Sequence, residues 1–270
     1  MKGLLPLLGA WFGRLAFRLG VRRRVALEGL ARAFPELDAP ARSRLALSAY
    51  QGFGRSLGEL WRVRRLSDAE LERIVSFDGF DRYEKAAAPG KGVVVAVGHF
   101  GNWELLMRAC ARRGVKLTVL RRDLRDYFSR RLFAARRKAG VGELLDKGVA
   151  GDAVALLRRG GTLALAVDQN MQARRGIFVD FFGTPACTTP APAVLSLRTG
   201  APLIAAFPIR QADGTHRVLV EGPFAAPPGA RGHAAVVALT QEVTRAVERA
   251  VRAHPDHWYW LHRRWKTRPA

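Results

Sequence analysis

The spacing of apolar positions divides the chain near residue 74. Before it, Leu7, Leu8, Trp11, Leu15 and Leu19 recur at helical intervals. A second helical rhythm starts close to Asp38 and Pro40, residues suited to a helix start. Beyond residue 74 short apolar runs alternate with helical segments. Val93–Val97 reads as a strand buried on both faces, and the segment after it as a helix ending near Gly114. Strands are expected at 115–120, 141–145 and 161–169. Helices are expected in the basic stretch ending at Lys138 and at 151–160. Another strand at 176–183 leads into a Pro-rich bend and a helix at 193–200. Two strands then form a hairpin around Asp213 and Gly214, and a long helix covers Gly232 to Ala253. This alternation predicts one α/β domain at 73–270: a mixed, largely parallel sheet with helices on both faces. Residues 1–72 are expected to be a helical, membrane-associating extension.

Charge narrows the partners. The 270 residues include 45 Lys and Arg against 23 Asp and Glu, a net charge of +22. Such an excess calls for an anionic partner: nucleic acid, a membrane surface or an acidic substrate. No zinc spacing, RNA-binding aromatic motif or helix-turn-helix signal accompanies it, so nucleic acid is not expected. The first 24 residues carry no acidic side chain, and Arg22, Arg23 and Arg24 follow an apolar helix, the pattern of a segment seated on a lipid surface. No apolar run reaches the ~18 to 20 residues of a membrane span, and no convincing cleavage site marks a secretory signal. The two cysteines, Cys110 and Cys187, cannot build a disulfide framework and lack metal-ligand spacing. They fit a reducing compartment.

The sharpest chemistry lies in His99-Phe100-Gly101-Asn102-Trp103-Glu104, directly after the strand at 93–97. Gly101 suits a tight turn there, and Asn102 suits the cap of the next helix. Glu104 then falls in the first helical turn, from which it is expected to orient one nitrogen of His99. The other nitrogen would remove a proton from a hydroxyl. The competing account is a histidine that caps the strand or packs on Trp103. A covalent cysteine mechanism finds little support, because neither thiol has a signature of activation.

These residues resemble the bacterial lipid A biosynthesis acyltransferases, the late lauroyl/myristoyl family. HFGNWE is similar to that family's His-x4-Asp/Glu block. Further similar blocks are Arg122 with RRKAG, GTLALAVDQN, the stretch from Arg174 to Arg210, and the C-terminal PDHWYWLHRRWKTRPA. ALEGLARAFPEL carries Glu28 where an Asn is usual, and the usual Asn shortly after Arg122 is absent. The resemblance implies transfer of a fatty acyl group from an acyl carrier protein thioester to a hydroxyl of an anionic glycolipid precursor. His99 would be the base and Glu104 its partner, with no covalent intermediate and no bound cofactor or metal. A backbone N–H near Gly101 or an arginine would stabilise the oxyanion. Arg122, with Arg136 and Arg137, is expected to hold phosphate, carrier protein or membrane. Asp168 and Gln169 would complete the site, Gly183 would shape the acyl path, and Thr188 would contact polar substrate groups. The cytoplasmic face of the inner membrane is the implied location. Another membrane-lipid acceptor is the first alternative, and a basic nucleic-acid-binding protein the more distant one.

Overall fold

The computed structural model describes residues 3–63, 65–121, 134, 136, 138, 140–145 and 150–269. Helices α1 (Leu4–Arg18), α2 (Arg23–Ala33), α3 (Ala39–Val63) and α4 (Asp68–Ile74) precede the sheet. Then come β1 (Val75–Asp78), α5 (Phe80–Ala87), β2 (Val93–Val97), α6 (Trp103–Arg112), β3 (Leu117–Arg121) and β4 (Gly142–Leu145). They are followed by α7 (Ala150–Arg158), β5 (Thr162–Ala166), β6 (Ile177–Phe181), β7 (Thr184–Thr188) and α8 (Ala191–Thr199). Strands β8 (Leu203–Arg210) and β9 (His216–Phe224) and helix α9 (Gly232–Ala253) complete the elements that matter for the site.

Seven strands form one mixed sheet in the order β1-β9-β8-β2-β5-β3-β4. Strands β8, β2, β5, β3 and β4 run parallel, and the β8–β9 hairpin is antiparallel. Strand β2 lies at the centre, which explains its unbroken valine-rich composition: both faces must be apolar. Val94 and Ala96 enter the core shared with α7, α8 and α9, while Val93 and Val95 face the core shared with α4, α5 and α6. The expected mixed, largely parallel sheet with helices on both faces is therefore the observed architecture.

Two details differ from the sequence expectations. Strand β1 and helix α5 fill the stretch before β2 that held no expected element. Strand β1 is four residues long and, among the described residues, pairs with β9 alone, too short for alternation to register. The Pro-rich bend is strand β7, paired with β6 in a separate two-stranded ribbon. Pro185 falls within this ribbon, as Pro208 and Pro223 fall within the hairpin strands β8 and β9.

Helix α1 packs on α3 through glycines. Gly9 and Gly13 oppose Gly54 and Gly58, and a Cβ at any of the four would run into carbonyl backbone of the other helix. The opposite side of α1 exposes Leu4, Leu7, Leu8, Trp11 and Phe12. Among the described residues no single helix is long and apolar enough to cross a membrane. Helices α1 and α2 reach that length and composition only together, and they meet at 90°.

Candidate active site

The parallel strands end at one edge of the sheet, where α/β proteins commonly place their reactive groups. His99 leaves the end of β2. Its turn demands Gly101, whose φ is +54° and whose missing Cβ makes room for the Pro208 carbonyl. Asn102 caps α6 by accepting from the Leu105 N–H at 3.1 Å and donates to buried Glu59 at 2.8 Å. The C-terminal segment clamps the turn from outside. Gly101 N–H donates to the His257 carbonyl (2.8 Å), and Tyr259 N–H donates to the His99 carbonyl (3.0 Å).

The partner of the imidazole is Asp168. Strands β2 and β5 pair with Val97 opposite Ala166, so continuing two residues along each brings His99 level with Asp168. The Nδ1 of His99 lies 2.9 Å from Asp168 Oδ1. The other carboxylate oxygen accepts the His99 backbone N–H at 2.7 Å and the Trp258 indole N–H at 2.9 Å. Burial works against ionised Asp168, but His99 and these donors outweigh it and hold the carboxyl below its ordinary range. Burial likewise works against protonated His99, but the Asp168 charge and hydrogen bond win, so the ring titrates above its ordinary value. With Nδ1–H donating to Asp168, Nε2 keeps its lone pair and is oriented for base chemistry.

This corrects the expected contact between Glu104 and His99. Glu104 is nearly buried, and both its oxygens are engaged elsewhere. Oε1 accepts from the Trp103 indole (3.1 Å) and from Arg136 Nη2, and Oε2 accepts from Arg136 Nε at 3.0 Å. The first turn of α6 thus aims this carboxylate at a guanidinium, and among the described residues no hydrogen bond joins it to His99. The Gly101 N–H is a second correction. It is already committed to His257 and is not a spare donor for an oxyanion.

The remaining expected residues separate clearly. Gln169 reaches the ring, its amide nitrogen 3.3 Å from His99 Nε2, and lines the same cavity as Arg136. Thr188 is buried, donates to the Ala186 carbonyl and accepts from Arg264, so its hydroxyl is consumed inside the fold; its neighbour Thr189 lines the cavity instead. Gly183, at φ +68°, occupies the exposed β6–β7 turn and is not among the cavity residues. Arg122 and Arg137 lie outside the described residues.

Three residues of the C-terminal block have inward roles that the sequence reading did not assign to them. Trp258 fixes Asp168. His262 Nε2 accepts the Asn170 N–H at 2.7 Å, and burial depresses its pKa to about 4, keeping it a neutral acceptor. Buried Arg264 donates to the Gln169 and Cys187 carbonyls and so ties the loop after β5 to β7. Their signal was the block as a whole, because nothing in its spacing shows which side chains turn inward.

A cavity of about 900 Å³ opens beside His99 and runs under the sheet between the strands and helices α5 and α6. Polar groups surround its mouth: Glu104, Arg136, Gln169, Asn170, Arg175 and Thr189. Deeper in, valine, leucine, phenylalanine and methionine side chains line it. Cys110 is among its wall residues, and burial pushes its thiol up to about 12, far from a reactive thiolate. Burial also raises the Cys187 thiol, an effect that nearby Arg264 only partly offsets. Among the described residues no group of three or more His, Cys, Asp or Glu side chains is placed to hold a metal ion.

A histidine fixed by a carboxylate at the mouth of an apolar cavity has the chemistry that hydroxyl acylation needs. Comparison with known proteins agrees. The chain is 25% identical to the lipid A biosynthesis palmitoleoyltransferase of Escherichia coli K12, over 98% of this chain and 86% of the relative. It is also 25% identical to the lipid A biosynthesis lauroyltransferase of that organism, over 97% and 85%. A phosphatidylinositol mannoside acyltransferase of Mycobacterium tuberculosis is 27% identical over 88% of this chain and 75% of its own length. Residues 4–267 match the family model described as bacterial lipid A biosynthesis acyltransferase, and the chain belongs to that family of acyl-transferring enzymes.

Proposed function

We propose that this enzyme transfers a fatty acyl group from an acyl carrier protein thioester to a hydroxyl of a glycolipid precursor in lipid A biosynthesis. The observation that carries this reading is His99, its Nδ1 bound to ionised Asp168 and its ring at the mouth of the apolar cavity. The acceptor hydroxyl gives its proton to His99 Nε2 as its oxygen attacks the thioester carbonyl. Asp168 holds the tautomer and stabilises the imidazolium that forms. The Gln169 amide, beside Nε2, is placed to donate to the tetrahedral oxygen. The thiolate leaves, taking the proton back from His99. Glu104 plays a different role, fixing the Arg136 guanidinium, whose positive charge faces the anionic headgroup or the donor's phosphate.

Helix α1 would sit on the membrane through Leu4, Leu7, Leu8, Trp11 and Phe12, with exposed Arg22, Arg23 and Arg24 on acidic headgroups. Residues 1–72 are then the membrane-associating region and 73–270 the acyltransferase domain, peripheral or monotopic on the cytoplasmic face. Deleting residues 1–24 should abolish recovery with acidic vesicles in flotation. Unchanged recovery would remove this placement.

The likeness to phosphatidylinositol mannoside acyltransferases supports a second reading, with a mannosyl lipid as acceptor. Purified enzyme with carrier-protein thioesters and either lipid A precursor or phosphatidylinositol mannoside, read by mass spectrometry of the product, decides between them. Equal turnover by wild type and His99→Ala would sink the base assignment.

A further inference from the structure

How long an acyl chain the cavity takes depends on where the cavity ends, a question that rests on the acyl-transfer reading above. The cavity follows the strands downward from the His99 edge. At its far end Thr162, the first residue of β5, lies opposite Val93 and level with Leu117. Its hydroxyl is 2.9 Å from the Tyr83 hydroxyl of α5, and Thr162 itself is buried. Cys110 lies on α6, seven residues and about 10 Å of helix below Trp103, and all three residues line the cavity. Cys110 is also close enough to raise the Tyr83 hydroxyl pKa, secondary to burial.

We propose that the Tyr83–Thr162 hydrogen bond, flanked by Cys110, is the floor against which the end of the acyl chain stops, making these residues the chain-length determinant of the enzyme. The distance from His99 to the level of this floor spans six residue steps, from 99 through the end of β2 down to 93. At the strand rise of ~3.3 Å that is about 20 Å, matching an extended chain of roughly 12 to 16 carbons once terminal contact distance is allowed. A longer chain would have to separate a pair of hydroxyls that satisfy each other in an apolar setting, leaving them without partners. A shorter chain leaves apolar wall uncovered. Each methylene buried is worth about fourfold in affinity, so the length profile should rise to its limit and then break.

Binding is read without catalysis, by displacement of a fluorescent fatty acid from the full-length enzyme with saturated fatty acids of roughly 10 to 20 carbons. Wild type should gain affinity with each methylene up to the break and lose about tenfold or more beyond it. Tyr83→Ala should move the break upward by roughly four methylenes, the reach of the missing ring, and Cys110→Phe should move it downward. Thr162→Val keeps the volume but frees the Tyr83 hydroxyl, so it should soften the break and serves if Tyr83→Ala does not fold. A break that stays in place in folded Tyr83→Ala or Cys110→Phe, one that stays as sharp as wild type in Thr162→Val, or a wild type with no length break overturns the proposal. Thioester donors of the same lengths separate the two readings. A break that moves in binding while no donor is turned over leaves the floor intact and removes the transfer chemistry. Turnover with a fixed break does the reverse.

Discussion

Replacing Asp168 by Asn should cripple the enzyme while leaving it folded. The carboxylate accepts three hydrogen bonds: two N–H groups, from His99 backbone and Trp258, on one oxygen, and the His99 ring on the other. An asparagine satisfies the two N–H donors only by placing its carbonyl oxygen there. Its NH2 then faces Nδ1 and donates to it. The proton on the ring is driven to Nε2, the nitrogen that has to accept the substrate proton, so the abundant tautomer is the wrong one. Loss of the correct tautomer and of the charge that stabilises the imidazolium should cost about 10³- to 10⁴-fold in kcat. The sign of the pH effect also follows. In wild type, activity is lost as pH falls through a His99 pKa that lies above its ordinary value. In Asp168→Asn, burial acts without its counterweight, and the acid limb of the residual activity should move to lower pH. Initial rates of product glycolipid formation across pH, with circular dichroism to confirm folding, measure both effects. A variant within tenfold of wild type with an unmoved acid limb would refute the assignment. So would Glu104→Gln falling further in kcat than Asp168→Asn.

Other changes separate holding from chemistry. Glu104→Gln should release Arg136 and raise KM for the anionic substrate by about tenfold with a smaller change in kcat, measured by steady-state kinetics. Trp258→Phe removes one donor from ionised Asp168, and a bond to a charged group is worth about 1.5–3 kcal/mol, so kcat should fall about ten- to a hundredfold with the fold retained. Gly54→Leu puts a side chain into the carbonyl backbone of α1. It should detach that helix, seen as new proteolysis near residue 20 and reduced vesicle recovery, while His99 remains in place.

Local pattern was enough for the elements that bury a whole face. Val93–Val97 and Gly232–Ala253 stand where their periodicity puts them, because both must be apolar toward a core regardless of neighbours. The His99 turn was equally legible, since Gly101 and Asn102 meet backbone demands that arise within six residues. The partner of His99 was not. Asp168 is 69 residues away and meets the ring only because β5 pairs with β2 in a particular register, and strand adjacency leaves no trace in a single strand's composition. Glu104, close in sequence, drew the assignment that register gives to Asp168. The inward side chains of Trp258, His262 and Arg264 were hidden for a related reason: the C-terminal segment is irregular, so no period tells which residues face in.

The division of labour between the two carboxylates follows from their surroundings. In a chain of net charge +22, an acidic side chain near the site will meet a cation, and which cation it meets decides its role. Arg136 lies within reach of the first turn of α6 and has a guanidinium fork that takes both oxygens of Glu104. A guanidinium offers donors and no acceptor, so that pair fixes a carboxylate at the mouth and gives no acceptor nitrogen for a substrate proton. Among the described residues Asp168 makes no hydrogen bond to an arginine. Buried Arg264 gives its two terminal nitrogens to the Gln169 and Cys187 carbonyls and to Thr188, and Trp258 and the His99 backbone saturate one carboxylate oxygen. The other oxygen is left to the imidazole, which under the proposed mechanism gains a charge during the reaction. In that mechanism the carboxylate that holds an imidazole takes part in proton transfer, and the one that holds a guanidinium organises binding. Exchanging the environments, by giving Asp168 a guanidinium or Glu104 a histidine, would exchange the roles.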